Sequence, residues 1–162
     1  TFAIGDIAEE DAALCRATHR ALLRGIEQAV ADQRVGDISH AVQSHCESQG
    51  FSVVRDLVGH GVGQDLHEDP QVPNFGDPGR GRSLKPGLSI CIEPMINRGT
   101  ARVVTDDDGW TVRAADGLPS AHYEHMVVVR DGEPEVLSDY GYIEDVIDPP
   151  YETDALTETT TR

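Results

Sequence analysis

Ser120-Ala121-His122-Tyr123-Glu124-His125-Met126-Val127-Val128-Val129 is an apolar, β-branched run with a carboxylate set into it. Such residues suit a pleated, half-buried surface, so the spacing predicts a strand over Tyr123 to Val129. A carboxylate inside a central strand is costly unless it meets a cation, which singles out Glu124. On an edge strand the same Glu would simply be solvated. A second stretch weakens that plain alternative: Ser89-Ile90-Cys91-Ile92-Glu93-Pro94-Met95. Alternation puts Ile90 and Ile92 on one face and Ser89, Cys91 and Glu93 on the other.

Further strands are expected at Phe51 to Val54, Leu88 to Ile92, Arg102 to Thr105 and Thr111 to Arg113. Turn signals at Pro86-Gly87, Asp106-Asp107-Asp108-Gly109 and Asp131-Gly132 separate them. Before Gly50 the pattern is helical. Ala12, Ala13, Ala17, Ala21, Leu22, Ile26, Ala29 and Val30 recur at three- and four-residue steps behind Glu9-Glu10-Asp11, predicting an amphipathic helix of about 24 residues. A second helix is expected from an Asp37 N-cap to Gly50. Thr1 to Ile4 reads as a further strand, which makes a cut N-terminus the expectation. Helices first and strands second give an α+β fold with an antiparallel sheet. Residues 149–162 are Thr/Glu-rich and poor in apolar content, and are expected to form a flexible acidic tail.

With 162 residues the chain is sized for one domain, and 13 Lys+Arg against 29 Asp+Glu leave a net charge of −16. That balance excludes nucleic acid and anionic lipid surfaces as partners. No apolar run approaches the ~18 residues of a membrane span. Every basic residue but Lys85 is Arg, and so acidic a surface repels itself unless counterions screen it. A halophilic source is therefore expected, with stability that holds or rises as KCl reaches molar levels. A stability that falls over that range in thermal melts would contradict it. Cys15, Cys46 and Cys91 are odd in number and widely spaced, matching no disulfide framework or zinc knuckle and favouring a reducing, cytoplasmic compartment.

A glycine-rich stretch supplies the remaining chemistry. Gly59-His60-Gly61-Val62-Gly63 strips side chains from one side of a strand around His60, so that a ligand or another backbone can approach. His67 lies seven residues on and can face the same cavity if Gly63 bends the chain; two surface histidines on a glycine-rich turn are the plain alternative. His60, Glu93 and Glu124 make a nitrogen/oxygen donor set suited to Mn²⁺, Fe²⁺, Co²⁺ or Zn²⁺, and without sulfur it is a poor structural zinc site. Carboxylates that bridge two ions point to hydrolysis of an amide or ester. His67-Glu68 opens like a zincin motif, but Gln71 stands where its second histidine belongs and Pro70 would break the helix. Asp106-Asp107-Asp108-Gly109 is a hairpin turn rather than a calcium loop.

Four stretches together carry a resemblance: GHGVGQDLHEDPQVPNF (59–75), LKPGLSICIEPM (84–95), DGWTV (108–112) and SAHYEHMVVV (120–129). In this order the chain resembles the C-terminal two-thirds of the catalytic domain of type I methionine aminopeptidases, metallopeptidases of the pita-bread fold. The resemblance implies that residues 1–148 are that domain, incomplete at its N-terminus. It implies two divalent metal ions as cofactors (Co, Mn, Fe or Zn), with His60, Glu93 and Glu124 as ligands. Glu93 would also accept a proton from the attacking water, and Glu124 would bridge the ions. His67 would contact the substrate amide and steady the tetrahedral intermediate. Trp110 would wall the pocket for the methionine side chain, and Leu66 stands where an aromatic residue is often found. Two Asp ligands and a further histidine of the family match positions before Thr1, so the chain alone is expected to be inactive, with an exposed sheet edge. The implied activity is removal of the initiator methionine from nascent polypeptide N-termini, in the cytoplasm, by a monomer. An Xaa-Pro peptidase of the same fold and a metal-free pita-bread adaptor are the rival readings.

Overall fold

Helix α1 (Glu9–Glu27) buries Leu14, Ala17, Ala21, Leu22 and Ile26 along one stripe, while Glu9, Glu10 and Asp11 occupy the positive end of its dipole. It stops short of the length its periodicity suggests. The amides of Gln28 and Ala29 donate to the carbonyls of Gly25 and Ile26, tightening the last turn, and Val30 leaves to bridge Arg130. Helix α2 (Val35–Ser48) corrects the expected start. Arg34 is the N-cap, and Asp37 sits three residues on, its carboxylate accepting the Arg34 and Gly79 amides at 2.7 Å each. A carboxylate at either place satisfies orphan amides of the first turn, so the two positions look alike in sequence. The computed structural model describes residues 1–147 and 149, so nearly all of the expected tail lies outside the described residues.

After the helices come β1 (Ser52–Val53), β2 (Val58–Gly61), β3 (Glu68–Pro73), β4 (Ser89–Ile92) and β5 (Met95–Asn97). Then follow β6 (Val103–Thr105), β7 (Val112–Ala114), β8 (Ser120–His122), β9 (His125–Val128), β10 (Glu135–Val136) and the short α3 (Gly141–Glu144). One sheet has the order β10-β9-β4-β2-β3, a second β1-β5-β8, and β6-β7 is a separate hairpin. Every pairing between these strands is antiparallel. Leu22, Ile26, Ile38 and Val42 from the helices meet Ile90, Ile92, Ile96 and Val127 from the sheets in one buried core.

The expected strand at Thr1 to Ile4 does not form. Thr1 bonds to His122, its amine and hydroxyl donating to the carbonyl at 2.9 and 3.1 Å and its hydroxyl oxygen accepting the amide at 2.8 Å, but bonds at a single residue make no ladder. Among the described residues, no helix is long and apolar enough to cross a membrane.

Gly59 and Gly61 answer the question left open by the sequence: what approaches them is backbone, while Gly63 faces the Glu68 carboxylate. A Cβ on Gly59 would lie 2.4 Å from the Cys91 carbonyl oxygen, and one on Gly61 would lie 2.3 Å from that of Asp69. Neither backbone can step aside without breaking a strand pair. Gly59→Ala is therefore expected to destabilise the fold by about 1–3 kcal/mol, the usual cost of overpacking. Equilibrium denaturant unfolding checks it, and an unchanged midpoint would contradict the close approach of β2 and β4.

Candidate metal centre

The site lies where one antiparallel ribbon passes from sheet to sheet. Glu93-Pro94 separates β4 from β5, and Tyr123-Glu124 separates β8 from β9. Ile92 pairs with His125 on one side of this break and Met95 with His122 on the other. The register is the same on both sides, so Glu93 stands opposite Glu124. Like charges directly opposite one another repel, and the chain places them where two sheets part. This corrects the picture of Glu124 deep in a central strand. The run from Tyr123 to Val129 is interrupted, and Glu124 is exposed at the interruption.

Neighbouring side chains fix the break. The Glu124 amide donates to the Tyr140 hydroxyl oxygen at 2.8 Å, and that hydroxyl donates to the Glu124 carbonyl at 2.6 Å. Burial holds the Tyr140 hydroxyl above its ordinary pKa, which keeps it a donor. The Tyr140 ring stacks on His125 with centroids 4.2 Å apart. Burial pushes His125 down to about 4, leaving it neutral at pH 7, and its Nδ1 lies 2.7 Å from the Ser138 hydroxyl.

His60 approaches from β2. Its Nδ1 lies 2.9 Å from the Gly61 carbonyl oxygen, which can only accept, so Nδ1 carries a proton there. Nε2 is turned toward Glu93, 3.4 Å from Oε1. On the far side, His122 Nε2 lies 3.2 Å from Glu93 Oε2. The side chains of His60 and Glu93 are 13% and 14% exposed, so water screens this contact weakly. In a neutral His60 ring, Nε2 and the carboxylate oxygen are both acceptors, and a cation between them satisfies both. A histidine anchored through Nδ1–H to a carbonyl is the usual posture of a metal ligand.

Two residues join the cluster that the donor set read from sequence left out. Ligating atoms of His60, Cys91 and Glu124 lie within 4.8 Å of one another, as do those of Glu93, His122 and Glu124. A thiol therefore lies beside a donor set that the sequence alone reads as free of sulfur. Burial, then a hydrogen bond to Glu124, then the charges of Glu124 and Glu93 push the Cys91 thiol up to about 12. Alternation already put Cys91 on the face of Glu93. Its meeting with Glu124 depends on a strand register that no local pattern reveals. His122 lies two residues before Glu124 in the same motif, but on a different strand segment.

His67 is exposed, with its ring edge-on to His60 and centroids 4.3 Å apart. Leu66 is 70% exposed, and Trp110 is 88% exposed in the turn of the β6–β7 hairpin. Asp108 holds that turn, accepting the amides of Trp110 at 2.9 Å and Thr111 at 2.8 Å. The Thr111 hydroxyl and then these two amides lower its carboxyl below 3.8. A lowered carboxyl pKa gives support that is present above the unfolded value and is lost as pH falls through the folded one. The Trp110 and Thr111 amide resonances are expected to titrate together in NMR with a midpoint below 3.8; a midpoint above 3.8 would contradict this cap.

Two opposed carboxylates, with imidazole nitrogens turned onto Glu93, form a donor set that fits a divalent ion. The chain belongs to metallopeptidase family M24, whose family model matches residues 1–131, and it has the pita-bread fold. It is 54% identical over 138 residues to the methionine aminopeptidase of Clostridium perfringens, covering 85% of this chain and 55% of that protein. It is 45% identical over 138 residues to methionine aminopeptidase 1 of Bacillus subtilis, covering 85% and 56%. Among solved structures, the methionine aminopeptidase from Thermotoga maritima matches with a TM-score of 0.80 at 44% identity, covering 82% of this chain and 53% of that one. The prolidase from Pyrococcus horikoshii, at a TM-score of 0.65 and 17% identity, shares the fold. The chain spans about half the length of the methionine aminopeptidases it matches.

Proposed function

We propose that the protein containing this chain is a metal-dependent methionine aminopeptidase acting on the N-termini of nascent polypeptides in the cytoplasm. The observation that carries this is the opposition of Glu93 and Glu124 across the ribbon break, with His60 Nε2 turned onto Glu93. The 54% identity to a methionine aminopeptidase supports the choice of substrate. His60, Glu93 and Glu124 would hold a divalent pair drawn from Co, Mn, Fe or Zn. When bound, such ions supply Lewis acidity toward a peptide carbonyl.

The chain's own residues would do the rest. Glu93, largely buried between two imidazoles, takes up the proton that an attacking water gives away. Its two oxygens already face different nitrogens, so one can hold position while the other accepts. His67, beside His60 and open to solvent, donates to the carbonyl oxygen as it gains charge. Leu66 and Trp110 offer apolar surface for the methionine side chain. Their exposure leaves room for a substrate to cover them.

Substrate choice tests this reading. Release of free methionine from Met-Ala-Ser, with an Xaa-Pro dipeptide left intact, is the expected result. Preferential cleavage of the Xaa-Pro bond would overturn it in favour of a prolidase-type enzyme. Failure to take up any divalent ion would favour a metal-free adaptor.

A further inference from the structure

Cys91 has no part in the reaction just described, yet it is aimed into the middle of the cluster. It lies on β4 two residues before Glu93 and on the same face, and only 6% of it is exposed. Its sulfur lies within 4.8 Å of a Glu124 carboxylate oxygen. Its Sγ, a His60 nitrogen and a Glu124 oxygen fall within 4.8 Å of one another, three donors of different chemistry converging on one point. The backbone makes the convergence obligatory. Cys91 presses its carbonyl against Gly59, so the next residue, His60, is carried to the same place. Cys15 and Cys46 are buried on the two helices, and among the described residues neither belongs to such a group.

We propose that Cys91 is a metal ligand, its sulfur joining His60 and Glu124 on one ion and turning the site's preference toward thiophilic Zn²⁺, Co²⁺ and Cd²⁺ over Mn²⁺. This rests on the reading of the ribbon break as a metal centre. On binding, the S–H bond breaks, its proton goes to solvent, and a sulfur lone pair forms the bond to the metal, with no change of oxidation state. A thiol that merely donates to Glu124 would leave the sulfur outside the coordination sphere.

Cobalt(II) titration of the metal-stripped protein separates these cases. The expected spectrum shows visible d–d bands together with a near-ultraviolet sulfur-to-cobalt charge-transfer band. Cys91→Ser should lose the charge-transfer band and keep the visible ones, while Cys15→Ser and Cys46→Ser change neither. In competition titrations, Cys91→Ser should lower affinity for Zn²⁺ relative to Mn²⁺ by at least ~10-fold, the scale on which even groups beyond the ligands act. Visible bands without charge transfer in the unsubstituted protein would overturn the role of Cys91 and leave the metal centre standing, whether or not the variant folds. Charge transfer that survives in Cys91→Ser would overturn it equally. Absence of every cobalt band would remove both the ligand and the metal centre.

Discussion

Glu93→Gln in the intact gene product is expected to lower kcat for methionine release by about 10²–10⁴-fold, the range general acid–base catalysis supplies, with the fold unchanged. The amide keeps the shape of the carboxylate but cannot take a proton from water, and it is a weak ligand for a hard cation. The substitution also removes one of two charges that face each other across the ribbon. Without metal, the variant should therefore be as stable as the parent or more so, by roughly 0.2–1 kcal/mol, the size of a cross-strand pair. Activity and stability moving in opposite directions would separate this from general structural damage. Steady-state kinetics with Met-Ala-Ser and thermal melts after chelation supply the two readings. A rate near that of the parent would refute the role given to Glu93.

His60→Ala should act on metal affinity first. The ring brings to the cluster an imidazole that is largely buried and anchored, through Nδ1 on the Gly61 carbonyl, with Nε2 left to bind. Divalent-ion affinity measured by calorimetry is expected to fall by at least ~10–100-fold, the loss seen when groups that only orient a ligand are removed. Stability without metal should drop by about 1 kcal/mol, the net worth of the lost hydrogen bond. His122→Ala is the useful comparison. His122 touches Glu93 at a similar distance, 3.2 Å, but its side chain is 46% exposed, so its contact is more heavily screened. Equal affinity in His60→Ala and the parent would remove His60 from the donor set.

Much of this was legible in the residues, for reasons that can be named. The stripe of Ala17, Ala21, Leu22 and Ile26 announces α1 because a helix must bury one face. Its end was harder to read, since tightening at Gln28 and Ala29 depends on where Val30 goes next. The carboxylates at 93 and 124 stood out because each interrupts an apolar strand pattern. That they face each other was not legible, because register is a property of two strands and not of either one. The same blindness hid Cys91 and His122. Strand β3 was hidden differently: Pro70 and Pro73 flank its centre, and proline argues against a strand unless the segment lies at an edge, which is where β3 runs. Asp37 was misplaced by a few residues because capping chemistry is shared by neighbouring positions.

One measurement reaches the central claim most directly: methionine release from Met-Ala-Ser by the intact gene product, before chelation, after chelation, and after a divalent ion is restored. The account predicts release, its loss on chelation, and its recovery with the ion. Release that persists after the metal is stripped, or none with any of Co²⁺, Mn²⁺, Fe²⁺ and Zn²⁺ supplied, would contradict it.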